Sequence, residues 1–272
     1  YKRQLTNKGI DLATLVEAGV VRKNDDGKYR DWFRGRLIIP IRNAKGELCG
    51  FGSRSIDNSV PKYLNSSKTA IFDKGTILYG LNIAKKSART DGLVIVEGYM
   101  DAIVAHQNQV TNVVASMGTA LTLEQVSEVR KVTNKVVMAL DPDVAGQQAT
   151  LRSLASSWDV FQKTAVTSRN KARNENPLLF NRQEDLELKI ASLPDGLDPD
   201  ELIRRSPAEW TNLLTNAKPL FEYLLPAMAN QLDVSTPEGK SRVVEVLFPF
   251  IASISDPLQQ DLYFQRLANY LD

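Results

Sequence analysis

Leu93-Val94-Ile95-Val96-Glu97-Gly98-Tyr99-Met100-Asp101 changes character at its midpoint. Four consecutive apolar residues with no polar alternation predict a short strand covered on both faces. Glu97-Gly98 ends that strand, and a helix is predicted from about Asp101 to Gln107. The unit recurs downstream. Asn112–Ala115 predicts a second strand, and Thr122 caps a helix through about Val132, with Glu124 and Gln125 in its first turn. Lys135–Leu140 predicts a third strand, ending at Asp141-Pro142-Asp143, with a helix from about Ala145 to Trp158 after it. Leu186–Leu193 predicts a fourth strand, which runs into Asp198-Pro199-Asp200. Short apolar strands alternating with helices imply an α/β fold with a parallel sheet and right-handed crossovers.

The flanks read differently. Leu12, Leu15 and Val16 share a helical face that Gly19 can end, so residues 1–30 are expected to hold one short helix and a loop. Asn24-Asp25-Asp26-Gly27 is a turn. Arg36–Arg42 is an apolar strand with basic ends, Asn43–Gly46 turns the chain, and Glu47–Arg54 returns it. A Gly-, Ser- and Lys-rich loop is expected through Lys74, and residues 168–184 are expected to form an exposed polar insertion. After Pro207 the patterns around 207–216, 218–231, 237–254 and 256–271 are helical. Three parts follow: a basic subdomain over 1–90, an α/β subdomain over 91–205 and a helical subdomain over 206–272. No internal repeat is visible.

Composition removes several kinds of chemistry. Cys49 is the one cysteine and His106 the one histidine among 272 residues, so neither an internal disulfide nor a Cys/His zinc site can form. Nothing near His106 resembles a nucleophile elbow, and a structural role is expected for it. No apolar run approaches the roughly 20 residues of a membrane helix, and no signal peptide is visible, so a cytoplasmic protein without membrane contact is expected. The net charge of +2 hides an asymmetry. Residues 1–90 hold 18 Lys and Arg against 8 Asp and Glu, whereas the remainder holds 16 against 24. A polyanion-binding surface and a separate carboxylate-rich site would produce that pattern; so would chance clustering on solvated faces.

The acidic residues recur where ligands bind in open α/β sheets, at the carboxyl ends of strands. Glu97 and Asp101 follow the first strand, Asp141 and Asp143 the third, Asp198 and Asp200 the fourth. Gathered carboxylates repel one another unless cations neutralise them, and hard oxygen donors suit Mg²⁺ or Mn²⁺. Two such ions about 4 Å apart can hold the attacking and leaving oxygens of a phosphoryl transfer. Taken singly, the same residues have local explanations. Asp198 before Pro199 is a good N-cap, Asp143 can cap a helix at Ala145, and Asp101 complements a helix dipole. Gly118-Thr119 after the second strand reads either as a plain turn or as a phosphate-binding helix N-terminus.

Glu97-Gly98-Tyr99-Met100-Asp101, followed by Asp141-Pro142-Asp143-Val144-Ala145-Gly146, resembles the Toprim signature. That Rossmann-like catalytic fold is shared by bacterial primases, type IA and II topoisomerases and some nucleases. The Tyr-Met version looks like that of the bacterial DnaG-type primases. Phe33–Ile41, Gly50–Arg54, Pro61–Ser66, Phe72–Gly75 and Leu78–Leu81 are similar to that family too, in the same order, so the likeness runs over about residues 1–205. It implies a Toprim sheet flanked by an N-terminal β-hairpin subdomain and a C-terminal helical subdomain. It implies that Glu97, Asp141 and Asp143 hold two or more Mg²⁺ or Mn²⁺ ions, and that Asp101, Asp198 and Asp200 complete or tune the cluster. Arg34, Arg36, Arg54, Lys62, Tyr63, Asn65 and Lys74 would line a basic groove for a single-stranded DNA template, NTPs or an RNA–DNA hybrid. The implied activity is template-directed RNA primer synthesis.

The likeness also sets expectations about what is missing. This chain lacks the Cys and His of the family's N-terminal zinc module, and its helicase-binding domain is expected to be absent. A Toprim nuclease or topoisomerase fragment is the rival enzyme, and a non-catalytic nucleic-acid-binding module the rival without chemistry.

Overall fold

The computed structural model describes residues 1–57, 59–118, 120–140, 157, 158, 160, 161, 187–194, 196–254 and 256–272. Its contacts divide the chain into two compact units, Tyr1–Asn82 and Ile83–Asp272.

The first unit starts with α1 (Lys2–Asn7) and α2 (Leu12–Glu17), followed by an antiparallel pair, β1 (Val21–Lys23) and β2 (Tyr29–Asp31). A three-stranded antiparallel sheet comes next, in the order β3 (Arg36–Arg42), β4 (Leu48–Ser55), β5 (Tyr63–Asn65). The β3–β4 hairpin lies where its alternation and the Asn43–Gly46 turn predict it. Two expectations are corrected. Residues 1–30 hold two helices and a short strand pair rather than one helix and a loop, and the Gly/Ser/Lys-rich segment contains β5. These elements have three to six residues each, too few to show a period. Contacts distant in sequence hold them instead: the Tyr1 amino group and the Lys2 N–H both donate to the Asp31 carboxylate, at 3.2 and 2.7 Å.

Phe72 anchors this unit. It is only 2% exposed, and a Cβ on Gly50 would lie 2.6 Å from its ring. The β4 backbone therefore presents a flat face to the aromatic ring, and no larger residue fits at position 50. Gly50→Ala is expected to destabilise this unit by about 1–3 kcal/mol through overpacking. Urea denaturation followed by tryptophan fluorescence measures this, and an unchanged midpoint would refute the contact.

The second unit is built on a mixed sheet. Among the described residues its order is β7 (Val113–Ala115), β6 (Leu93–Val96), β8 (Lys135–Leu140), β9 (Glu187–Ser192), β10 (Lys218–Pro219). All pairs are parallel except β9–β10. Residues 93–96 are each 2% exposed or less, as a strand covered on both faces requires. The edge strand β10 was invisible in sequence because two residues carry no pattern. α3 (Leu81–Asp91) leads into β6, α4 (Tyr99–Gln107) connects β6 to β7, and α5 (Leu123–Arg130) connects β7 to β8. Thr122 caps α5 in a reciprocal box with Gln125, as predicted. His106 Nε2 lies 2.7 Å from the Val113 carbonyl, a bond that ties α4 to β7. Burial lowers its pKa, which fits a structural imidazole.

After β9 come α6 (Pro199–Arg205), α7 (Pro207–Thr215), α8 (Leu220–Gln231), α9 (Pro237–Ala252) and α10 (Pro257–Leu271). Four of these open with proline at the first helical position, where its missing N–H costs nothing. The expected helix at 145–158 falls largely outside the described residues, and the expected insertion at 168–184 falls wholly outside them.

Candidate active site

Strand β6 has β7 on one side and β8 on the other. Strand order therefore reverses between β6 and β8, and the carboxyl ends of these two strands frame the crevice where open α/β sheets bind ligands. Glu97 follows β6 directly and is exposed there. The β6–β8 register pairs Ile95 with Met138, and continuing it by two residues sets Glu97 level with Leu140, the last residue of β8. Asp141 is the next residue in the chain. Asp141 and Asp143 lie outside the described residues.

Behind Glu97 the chain turns at once into α4. Gly98 is its N-cap, so the helix begins at Tyr99, two residues earlier than expected. Asp101 in the first turn accepts a hydrogen bond from the Gly98 N–H, 3.1 Å from its Oδ2. A Cβ on residue 98 would sit 2.9 Å from that same oxygen, which is why the position takes glycine. Helix α6 packs against α4 and brings Asp198 and Asp200 to the same edge. Burial, joined by the charges of Asp200 and Asp198, pushes the Asp101 carboxyl up to about 6 against the backbone hydrogen bonds from Gly98 and Asp200. Asp200 pairs with Arg204 one turn along α6. Asp198 occupies the N-cap of α6 with Pro199 behind it, yet its side chain makes no capping bond and is exposed. Asp198 thus holds the N-cap position before Pro199 without a side-chain capping bond, and the helix-terminus explanation holds for Asp101.

Among the described residues, no group of three or more Asp, Glu, His or Cys side chains gathers closely enough to hold a cation. The structure thus places four of the six predicted carboxylates at one end of the sheet and leaves Asp141 and Asp143 undescribed. The donors present fit a hard divalent ion in kind: Glu97 offers an exposed carboxylate at the switch point, and no thiolate or imidazole competes with it. Gly118 has φ +77° and lies five residues before α5, so it forms a turn and does not sit at a helix N-terminus. Thr119 lies outside the described residues.

In the first unit, the register aligns Leu37, Arg54 and Tyr63 across β3, β4 and β5. Arg54 and Lys62 each stand 5.9 Å from the centre of the Tyr63 ring. Arg36 donates to the Lys62 carbonyl at 3.4 Å. The structure therefore brings Arg36, Arg54, Lys62 and Tyr63 together. Arg34 is exposed just before β3, and Lys74 sits on a separate 3₁₀ turn capped by Asp73. The Asn65 carbonyl accepts from Trp32 Nε1 at 2.9 Å, and Arg22 lies 5.6 Å from the Trp32 ring. The Arg22–Trp32 pair was missed in sequence because Arg22 lies in a strand too short to read and Trp32 just beyond another.

A parallel sheet with an exposed glutamate at its switch point, and further carboxylates on the first turns of α4 and α6, defines a Toprim protein. Residues 91–168 match the family described as the Toprim domain, and residues 1–85 match the DNA primase catalytic core, N-terminal domain. The DNA primase of Clostridium acetobutylicum is 37% identical over 266 residues, 97% of this chain and 40% of that protein. A crystal structure of a DNA primase domain from Pseudomonas aeruginosa superposes with a TM-score of 0.77 at 31% identity, covering 98% of this chain and 79% of that one. The DnaG primase catalytic domain bound to ssDNA gives 0.75 at 32% identity, covering 97% and 80%.

The chain belongs to the DnaG primase family. It spans about two fifths of the length of the curated primase it matches. Toprim domains and primases generally work with divalent metal ions. One expectation is overturned: residues 221–272 match the DnaB-helicase binding domain of primase, so a match to that domain is present where its absence was expected. Hydrophobic periodicity finds the helices of that region but cannot tell a docking domain from any other helical bundle. No helix among the described residues is long and apolar enough to cross a membrane.

Proposed function

We propose that this chain is the nucleotidyl-transfer core of a replicative primase, joining ribonucleotides on a single-stranded DNA template in the bacterial cytoplasm. The supporting observation is that Asp198 and Asp200 lie near enough to Asp101 for their charges to raise its carboxyl pKa, at the strand edge that also carries Glu97. The 3′-hydroxyl of one ribonucleotide attacks the α-phosphate of an incoming NTP, and pyrophosphate leaves. Glu97, Asp141 and Asp143 would hold two or more Mg²⁺ or Mn²⁺ ions, which when bound supply charge neutralisation for the developing phosphorane. Asp101, Asp198 and Asp200 form the carboxylate background that sets the negative potential of the site. Arg34, Arg36, Arg54, Lys62, Tyr63, Asn65 and Lys74 bind the template, the NTP phosphates and the RNA–DNA hybrid, with Tyr63 offering an aromatic face between two cations. Residues 1–90 bind nucleic acid, 91–205 carry the chemistry, and 206–272 form the helical part, within which a replicative helicase is the partner suggested by the family match.

The direct test incubates the chain with single-stranded DNA and NTPs in Mg²⁺ or Mn²⁺. RNA dinucleotides and pyrophosphate are expected. Strand scission without NTP consumption would instead indicate the rival Toprim nuclease. Lys62→Ala is expected to weaken single-stranded DNA binding about tenfold on every sequence and to lower the salt slope of binding by about one. Fluorescence anisotropy at several salt concentrations measures both, and an unchanged slope would remove Lys62 from the phosphate contacts.

A further inference from the structure

We infer that Asp101 and Met117 are positioning residues that clamp the Glu97–Gly98 peptide from both poles and so aim the Glu97 carboxylate. The Gly98 N–H donates to Asp101 Oδ2 at 3.1 Å, and the Glu97 carbonyl accepts from the Met117 N–H at 3.1 Å. These are the two polar ends of one peptide unit, and the unit is rigid and planar. One clamp comes from the first turn of α4, the other from the loop after β7.

The second clamp depends on an unusual backbone conformation. Along a regular strand, the N–H groups of alternate residues face the same neighbour. Here the consecutive residues Ser116 and Met117 both donate toward β6, to Val96 O at 3.0 Å and Glu97 O at 3.1 Å. The chain must turn out of the β region to allow this, and Met117 does so with φ +62°, a conformation that side chains with a Cβ rarely adopt. The Met117 side chain is 5% exposed, so packing holds the residue in place. The local explanation of Asp101 as part of a helix cap accounts for one of the two bonds and leaves the Met117 turn unexplained. Strained backbone that persists beside a reacting group is a means of preorganising it.

The clamp rests on the proposed metal-holding role of Glu97, so its test reads metal affinity, with Mn²⁺ alone as the probe and isothermal titration calorimetry of the full chain as the measurement. Asp101→Ala removes the acceptor and is expected to weaken Mn²⁺ binding about 10-fold or more, the usual effect of losing a partner that orients a ligand. Asp101→Asn keeps an oxygen for the Gly98 N–H and is expected to restore most of that loss. Met117→Val, which resists positive φ, is expected to weaken binding, and Met117→Gly to retain it. Circular dichroism confirms that each variant is folded. If Glu97→Gln weakens binding while Asp101→Asn is as poor as Asp101→Ala, Asp101 acts by charge and the clamp is wrong. If Glu97→Gln leaves Mn²⁺ affinity unchanged, the metal role fails and the clamp falls with it.

Discussion

Glu97→Gln is expected to lower dinucleotide synthesis on single-stranded DNA on the order of 10²- to 10³-fold while leaving the fold intact. The substitution conserves size and removes one charge from an exposed side chain at the switch point of the sheet. Surface substitutions of that kind change stability by little, about 0.5 kcal/mol or less. The lost rate corresponds to roughly 3–4 kcal/mol of transition-state stabilisation, the usual size of one preorganised electrostatic contact. Asp141→Ala is expected to act in the same direction and to a similar extent. Rates at saturating NTP, with thermal melts alongside, separate the effect from unfolding. Full synthesis by Glu97→Gln would end the assignment of this residue to the metal site.

A pH dependence of stability carried by Asp101 is the second large effect. Its folded pKa of about 6 lies above the ordinary aspartate value of 3.8, so between those values the native state binds more protons than the unfolded chain. Stability therefore falls as pH rises from about 4 to 6, and the full penalty is present at pH 7. A shift of this size corresponds to about 3 kcal/mol. Asp101→Asn cannot ionise and keeps an acceptor for Gly98. In metal-free buffer it is expected to be the more stable protein at pH 7, by about 2–3 kcal/mol, and to lose most of the slope between pH 4 and 6. Urea titrations across that range with EDTA present measure both. An Asn variant that matches the parent slope would show that Asp101 is not the group responsible. Divalent cations should narrow the gap between the two proteins at pH 7, because neutralising the edge lowers the cost of the ionised carboxyl.

The two effects separate kinds of negative charge that look identical in the sequence. Glu97 is solvent-facing at the end of β6, whereas Asp101 is half-buried with its carboxylate bonded to the backbone N–H groups of Gly98 and Asp200. Asp200 is partly neutralised by Arg204, while Asp198 stands exposed at the N-cap of its helix without a side-chain capping bond. Which carboxylate meets the metal and which supports the one that does is thus set by burial and hydrogen bonding.

The strands β6 and β8, the β3–β4 hairpin, the Thr122 cap and the helical character of the last third were legible in the sequence. Each rests on forces acting between residues close along the chain: apolar runs, turn residues and capping oxygens. The basic character of residues 1–90 and the motif around Glu97 also pointed to the family before any coordinates. The short pair β1–β2, the edge strand β10, the third strand β5, and the role of Met117 were hidden, since each depends on partners from elsewhere in the chain. The order of the strands, the approach of α6 to α4, and the pinning of the Glu97–Gly98 peptide likewise belong to the tertiary structure. Local pattern decides whether a segment is helix or strand. Only the packing of distant segments decides which acidic side chain loses its water and which keeps it.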